Sequence, residues 1–182
     1  MHHISIISSS IRTGRKSHRV ALYFEKYLRE NNLATSEILD LKSYNFPVFE
    51  ERLKFQKETL PQAVEFANKI KSSSGVIIIT PEYNGSFPAS LKNAIDLLYD
   101  EWFHKPIAIS TVSAGVFGGS QVLISLQFVL WKIMALTVPA TFPVSKIEDS
   151  FDELGNPKNK VESDKLAAVF ITELLRCIKA EL

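Results

Sequence analysis

The chain has 182 residues, 46% of them apolar and 23% charged, the proportions of one globular domain over residues 1–182 rather than of a disordered or fibrous chain. Lys plus Arg number 21 and Asp plus Glu 20, a net charge of +1, which argues against a general nucleic-acid binder and an acidic electron carrier. A single cysteine, Cys177, excludes an internal disulfide and a cysteine-based zinc site and fits a reducing compartment.

The apolar run Ile6-Ile7 is too short for a signal peptide, and Ile4 to Ile7 reads as a short buried strand. Lys16 to Glu30 reads as a helix with Val20, Phe24, Tyr27 and Leu28 on one face. Ser36 to Leu41 is a weaker strand, and residues 42–59 look irregular, with room for one helical turn. Leu60 to Ser73 is a helix with Pro61 in its first turn. Gly75 to Thr80 is a continuous apolar run, as in a central parallel strand covered on both faces. A helix is expected from Pro88 or Ala89 to Tyr99, and a strand from Pro106 to Thr111. A long helix is expected from Gly118 to Leu136, with a stripe at Val122, Leu126, Val129, Ile133 and Leu136. This stretch carries Ser125, Gln127 and Lys132, so it is no membrane span. Val138 to Val144 reads as a fifth strand that Pro139 and Pro143 threaten to interrupt. After a turn at Gly155-Asn156-Pro157, a helix from Ser163 to Glu181 closes the chain, with Ser163 as its N-cap.

Five strand–helix units with right-handed crossovers make an α/β fold: a five-stranded parallel sheet with helices on both faces, expected in the order 2-1-3-4-5. Ligands in such sheets sit at the carboxyl ends of the strands where the order reverses. The informative loops are therefore residues 8–17, 81–88 and 112–119.

The first loop carries Ser8, Ser9, Ser10, Thr13 and Ser17 and crowds Arg12, Arg15, Lys16 and Arg19 into a helix start, while no acidic residue precedes Glu25. Cations at a helix N-terminus are unfavourable unless an anion sits among them, and the hydroxyls add donors. Taken alone, the loop also fits a polar turn with a solvated basic face. Arg15, Lys16 and Arg19 are the cations that best suit a surface role. No Walker loop and no Gly-x-Gly-x-x-Gly is present, since the first glycine is Gly14. In the second loop Pro81, Asn84-Gly85 and Pro88 restrict the chain to a turn, and Tyr83 and Phe87 offer planar surface for a flat heterocycle. In the third, Gly115, Gly118 and Gly119 allow backbone to approach a ligand, or make a plain turn capped by Ser120. No metal-ligand spacing occurs.

Together these loops resemble the NADPH-dependent FMN reductase family of flavodoxin-like proteins. Ser9-Ser10-Ile11-Arg12 with Ser17 matches the family's first motif, with Ser9 where glycine is usual. Pro81 to Pro88 and Leu91 to Asp96 match the second closely, and Ser113, Gly115, Gly118 and Gly119 the third. The resemblance covers about residues 3 to 145 and implies a flavodoxin-like three-layer sandwich. It implies that Ser9, Ser10, Arg12 and Ser17 surround the FMN phosphate. His18 either reaches it or lies on the helix surface. Pro81, Glu82, Tyr83, Asn84 and Gly85 would line one edge of the isoalloxazine ring, and Ser113 and Gly115 its pyrimidine side. The implied activity is hydride transfer from NAD(P)H through bound FMN to a flavin, quinone, azo or metal-oxyanion acceptor, by ping-pong. Backbone near Asn84 and Gly85, rather than a catalytic side chain, would assist. The alternatives are a flavodoxin-type electron carrier and a non-catalytic flavin-binding module. The resemblance further implies a homodimer or dimer of dimers; Trp102-Phe103, the loop Tyr44 to Phe49, and Trp131 are candidate contact surface or, taken singly, core packing. A cytoplasmic protein with no nucleic-acid or membrane partner is expected.

Overall fold

The computed structural model describes residues 1–180. Strands β1 (His3–Ser8), β2 (Thr35–Asp40), β3 (Gly75–Pro81), β4 (Pro106–Val112) and β5 (Leu136–Val144) form one parallel sheet in the order β2-β1-β3-β4-β5. Helices α1 (His18–Glu30) and α7 (Lys160–Ala180) cover one face; α3 (Pro61–Ser72), α4 (Ala89–Leu97) and α5 (Ser120–Lys132) cover the other. The period-2 alternation of β3 explains the three layers. Ile77 and Ile79 pack toward α1 and α7, Val76 and Ile78 toward α3, α4 and α5. All four are fully buried, each contributing about 2 kcal/mol of apolar burial. This is the flavodoxin-like arrangement.

Most differences from the sequence reading lie at element ends. Helix α1 begins at His18, because Arg15 closes a turn onto the Arg12 carbonyl (3.2 Å) before the helix starts. Helix α5 spans less than the apolar stripe. Gly118 and Gly119 sit at φ +62° and +78°, so the helix starts at Ser120, with Gly119 rather than Ser120 in the cap position. At its other end Met134 turns the chain at φ +59°, and Leu136 opens β5. Helix α4 stops at Leu97, and a short 3-10 turn follows. Helix α7 starts at Lys160, earlier than expected. The Asn159 side chain accepts from the Glu162 N–H and donates to its carboxylate, so Asn159 does the capping expected of Ser163. The expected last helical residue, Glu181, lies outside the described residues.

Pro139 and Pro143 do not interrupt β5. It is an edge strand bonded only to β4, where a missing N–H is tolerated, and the register slips between Ile107 and Ile109. Residues 42–59 form a strap with two short turns rather than one, α2 (Leu41–Tyr44) and a 3-10 turn at Leu53–Phe55. Tyr44 and Phe46 stack at 5.2 Å and both meet Phe66 edge-on, which pins the strap to α3. Trp102 is fully buried with its indole N–H donating to the Ile95 carbonyl, so it is core and no contact surface. Cys177 is half-buried on α7, and burial pushes its thiol pKa up, away from reactivity. Among the described residues no helix is long and apolar enough to cross a membrane.

Candidate active site

The carboxyl ends of β1, β3 and β4 open into a cavity of about 580 Å³, within the range of small-ligand sites. Its walls come from residues 12–17, from residues 81–83 and from the third loop at Ser113, Gly115, Phe117 and Gly119. A fourth wall was not anticipated from sequence: Ile147 and Glu148 of α6 (Ile147–Ser150). The only local sign of it was an acidic pair, Glu148-Asp149, in a charged turn.

The four cations of the first loop separate cleanly. Arg15 forks the Asp40 carboxylate through two bonds of 2.5 Å and donates a third to the Ser10 carbonyl at 2.6 Å. Its side chain is only 12% exposed, so it is a buried brace, not the surface cation expected. Burial alone would raise the Asp40 pKa, but hydrogen bonds from Arg15 and the Lys42 N–H outweigh it and hold the carboxyl below its ordinary range. Lys16 pairs with Glu148 across the cavity rim, and Arg19 donates to the Phe151 carbonyl and faces Glu153. Arg12 is exposed and, among the described residues, its side chain has no partner.

Beside Arg12 lies an open set of donors. Ser17 is buried on the cavity wall, yet its hydroxyl has no partner among the described residues. The backbone N–H groups of Thr13, Gly14, Lys16, Ser17 and His18 likewise meet no acceptor among them. No acidic side chain occupies the first turn of α1. A buried hydroxyl left unpaired costs about 1–3 kcal/mol, which an anion at this helix start would relieve.

The remaining sequence candidates take other positions. Ser9 is buried behind the wall: its N–H donates to the Ile79 carbonyl and its carbonyl accepts from the Ser90 hydroxyl. Its φ is not positive, so serine carries no strain where glycine is usual. The Ser10 hydroxyl is bonded to the Tyr83 hydroxyl at 2.7 Å. His18 turns inward, with Nδ1 3.0 Å from the Ser8 hydroxyl. Burial first, and the Arg15 charge second, push its pKa down and favour the neutral imidazole, and it lies off the cavity wall.

At the other end, Tyr83 and Ser86 exchange two backbone bonds around a tight turn. Asn84 (φ +52°) and Gly85 (φ +76°) form its tip, the left-handed pair that an Asn-Gly turn favours. They stand at the rim, while Pro81, Glu82 and Tyr83 face the cavity. The Ser113 hydroxyl donates to the Gly115 carbonyl, which also accepts from the Lys146 N–H, so the first half of the third loop is tied to the chain after β5. Among the described residues no cluster of side chains could hold a metal ion. The site thus offers an anion seat at one end and flat, backbone-lined walls at the other.

Comparison with known proteins resolves which family builds such a site. The family model for NADPH-dependent FMN reductases matches residues 2–149. The chain belongs to this family. An NAD(P)H-dependent FMN reductase of Nectria sp is 30% identical over 176 residues, covering 91% of this chain and 87% of that protein. A second NAD(P)H-dependent FMN reductase, from Schizosaccharomyces pombe, is 34% identical over 153 residues, 79% of this chain and 75% of the other. A quinone reductase of Escherichia coli K12 is 44% identical over 80 residues, 41% of this chain and 43% of that one. Among solved structures, the flavoenzyme FerB of Paracoccus denitrificans, an NAD(P)H:acceptor oxidoreductase, superposes with a TM-score of 0.77 at 22% identity, covering 99% and 98% of the two chains. At that identity the likeness speaks to the fold. As an FMN reductase the chain is an oxidoreductase enzyme that uses FMN and NAD(P)H. The open donors at Ser17 and the start of α1 suit the monophosphate of that cofactor.

Proposed function

We propose that FMN lies with its phosphate against Arg12, Ser17 and the N–H groups of residues 13–18, and its ring between Pro81–Tyr83 and Ser113–Gly115. When bound, FMN supplies hydride acceptance and donation between NAD(P)H and a second, small acceptor: a flavin, quinone, azo compound or metal oxyanion. The protein supplies binding, orientation and electrostatics. Arg12 contributes the charge that the other three cations have already spent on Asp40, Glu148 and Glu153. Tyr83 and the third loop would hold the ring edge, and backbone N–H groups near Gly85 and Gly115 would stabilise negative charge that develops there. With both substrates using one open mouth, the cycle is ping-pong.

The observation that carries this reading is the buried Ser17 hydroxyl on the wall of the cavity, beside Arg12, both side chains without a partner among the described residues. NADPH oxidation measured with and without added FMN tests it. FMN-stimulated turnover with parallel double-reciprocal lines is expected; turnover indifferent to FMN would remove the reading.

A second copy of the chain is proposed as partner. Phe117 at the cavity rim and Ile124, Phe128 and Trp131 along α5 are 62–83% exposed, and the Phe128 and Trp131 rings touch, an apolar group on the helix that leaves the third loop. A dimer through this face would cover it and wall the cavity mouth.

A further inference from the structure

Two helix starts meet at the strand ends, and they are treated differently. That of α1 is open. That of α5 is filled by a carboxylate from another loop: Glu82 Oε2 accepts from the N–H of Gln121 at 3.0 Å and of Val122 at 3.2 Å. Helix α5 has no cap of its own. Its cap position is Gly119, which has no side chain, and its first turn holds no acid. Orphan N–H groups at a helix start need an acceptor, and a carboxylate there is also favoured by the helix dipole.

The bonds join the second loop to the start of α5, just beyond the third loop. Glu82 precedes the turn at Tyr83 to Ser86, and its own N–H donates to the Val112 carbonyl at the end of β4. Ser86 reaches Ser125 of α5 at 3.2 Å, a second tie between the same parts. On the far side, Thr111 donates to the Gly118 carbonyl at 2.6 Å, fixing the third loop to β4. The wall at residues 81–83 is therefore tied to the start of α5, directly after the third loop, through the Glu82 side chain, which itself lines the cavity, beside the backbone bond to Val112 and the Ser86–Ser125 contact.

We propose that Glu82 is a positioning residue: its carboxylate serves as the borrowed cap of α5 and so sets the spacing between the second and third loops before any ligand arrives. The inference rests on the flavin reading for its consequence, not for the clamp itself. It gives Glu82 a role through Gln121 and Val122 beyond its place on the cavity wall.

The test compares the full chain with Glu82→Met, which has the length but no acceptor, and Glu82→Gln, whose amide oxygen can still accept. Amide hydrogen exchange in flavin-free protein reads the clamp. Gln121 and Val122 should exchange faster in Glu82→Met and near the natural rate in Glu82→Gln. Titration with FMN and with riboflavin reads the consequence. Glu82→Met should lose about tenfold affinity for both flavins, the size of a lost cap, because the damage is at the ring end. Should Glu82→Met not fold, Glu82→Asp, one methylene short of α5, takes its place with the same expectation. Unchanged exchange at both amides in the Met or Asp variant overturns the proposal. Equal loss in Glu82→Gln and Glu82→Met also overturns it, since charge and not the bonds would then matter. If the natural chain binds neither flavin, the functional reading fails while the exchange result still decides the clamp.

Discussion

Arg12 and Ser17 separate from their neighbours only when partners are counted. Arg15, Lys16 and Arg19 look as basic as Arg12 in the sequence, yet each is committed to an acid or carbonyl brought from 25 to 134 positions away. Replacing Arg12 by alanine should weaken FMN by about tenfold or more, the worth of a charge-assisted bond, and leave riboflavin affinity nearly unchanged. Equal loss for the two flavins would place Arg12 elsewhere. Ser17→Ala carries a sharper expectation, because its hydroxyl is buried without a partner. Thermal unfolding of the flavin-free protein should hold or rise, since an unsatisfied group is removed, while FMN affinity falls. A drop in both would mean the hydroxyl is already bonded within the protein.

The first loop itself is shaped by the Arg15–Asp40 brace, which links the end of β2 to the chain leaving β1. Asp40 also accepts from the Lys42 N–H at 3.0 Å and so starts α2. Its carboxyl pKa is lower folded than unfolded, so its contribution is present above the ordinary value of 3.8 and is lost as pH falls through the folded value below it. His18 adds to the same trend at a higher pH. Its folded pKa lies below the ordinary 6.5, so stability declines as pH falls from 6.5 toward the folded value. Asp40→Asn should cost about 3 kcal/mol in urea unfolding at pH 7, because Arg15 is left buried without its counter-charge. It should also flatten the acid limb below 3.8. A loss under about 0.5 kcal/mol, the scale of an exposed pair, would contradict the brace.

Across the whole molecule, local pattern and long-range pairing divide what could be read beforehand. The five strands follow from apolar runs, a local signal; their order and the three loops at the strand ends follow from the general rules for doubly wound parallel sheets. The turn at Asn84-Gly85 was legible because its left-handed backbone selects its residues. The brace at Arg15, the buried state of Trp102 and the wall from α6 were not. Lys16 and Glu148 meet across 132 positions, and no periodicity records such a pairing. Glu82 illustrates the same limit: it stands in the most recognisable motif, but its partners are backbone N–H groups of another helix. At this scale the exposed face of α5 predicts association. Phe128→Glu should shift the sedimenting species to a single chain and lower FMN-dependent turnover; an unchanged mass would put the interface on another face.

In the proposed working state the strand-end cavity holds FMN by its phosphate, and the chain oxidises NAD(P)H through it. The most direct test is steady-state NADPH oxidation by the purified chain as FMN is titrated, with riboflavin and inorganic phosphate as comparisons. Saturable stimulation by FMN, much weaker stimulation by riboflavin, and competition by phosphate are the predicted result. Oxidation that does not respond to FMN, or responds equally to riboflavin and ignores phosphate, would contradict the account.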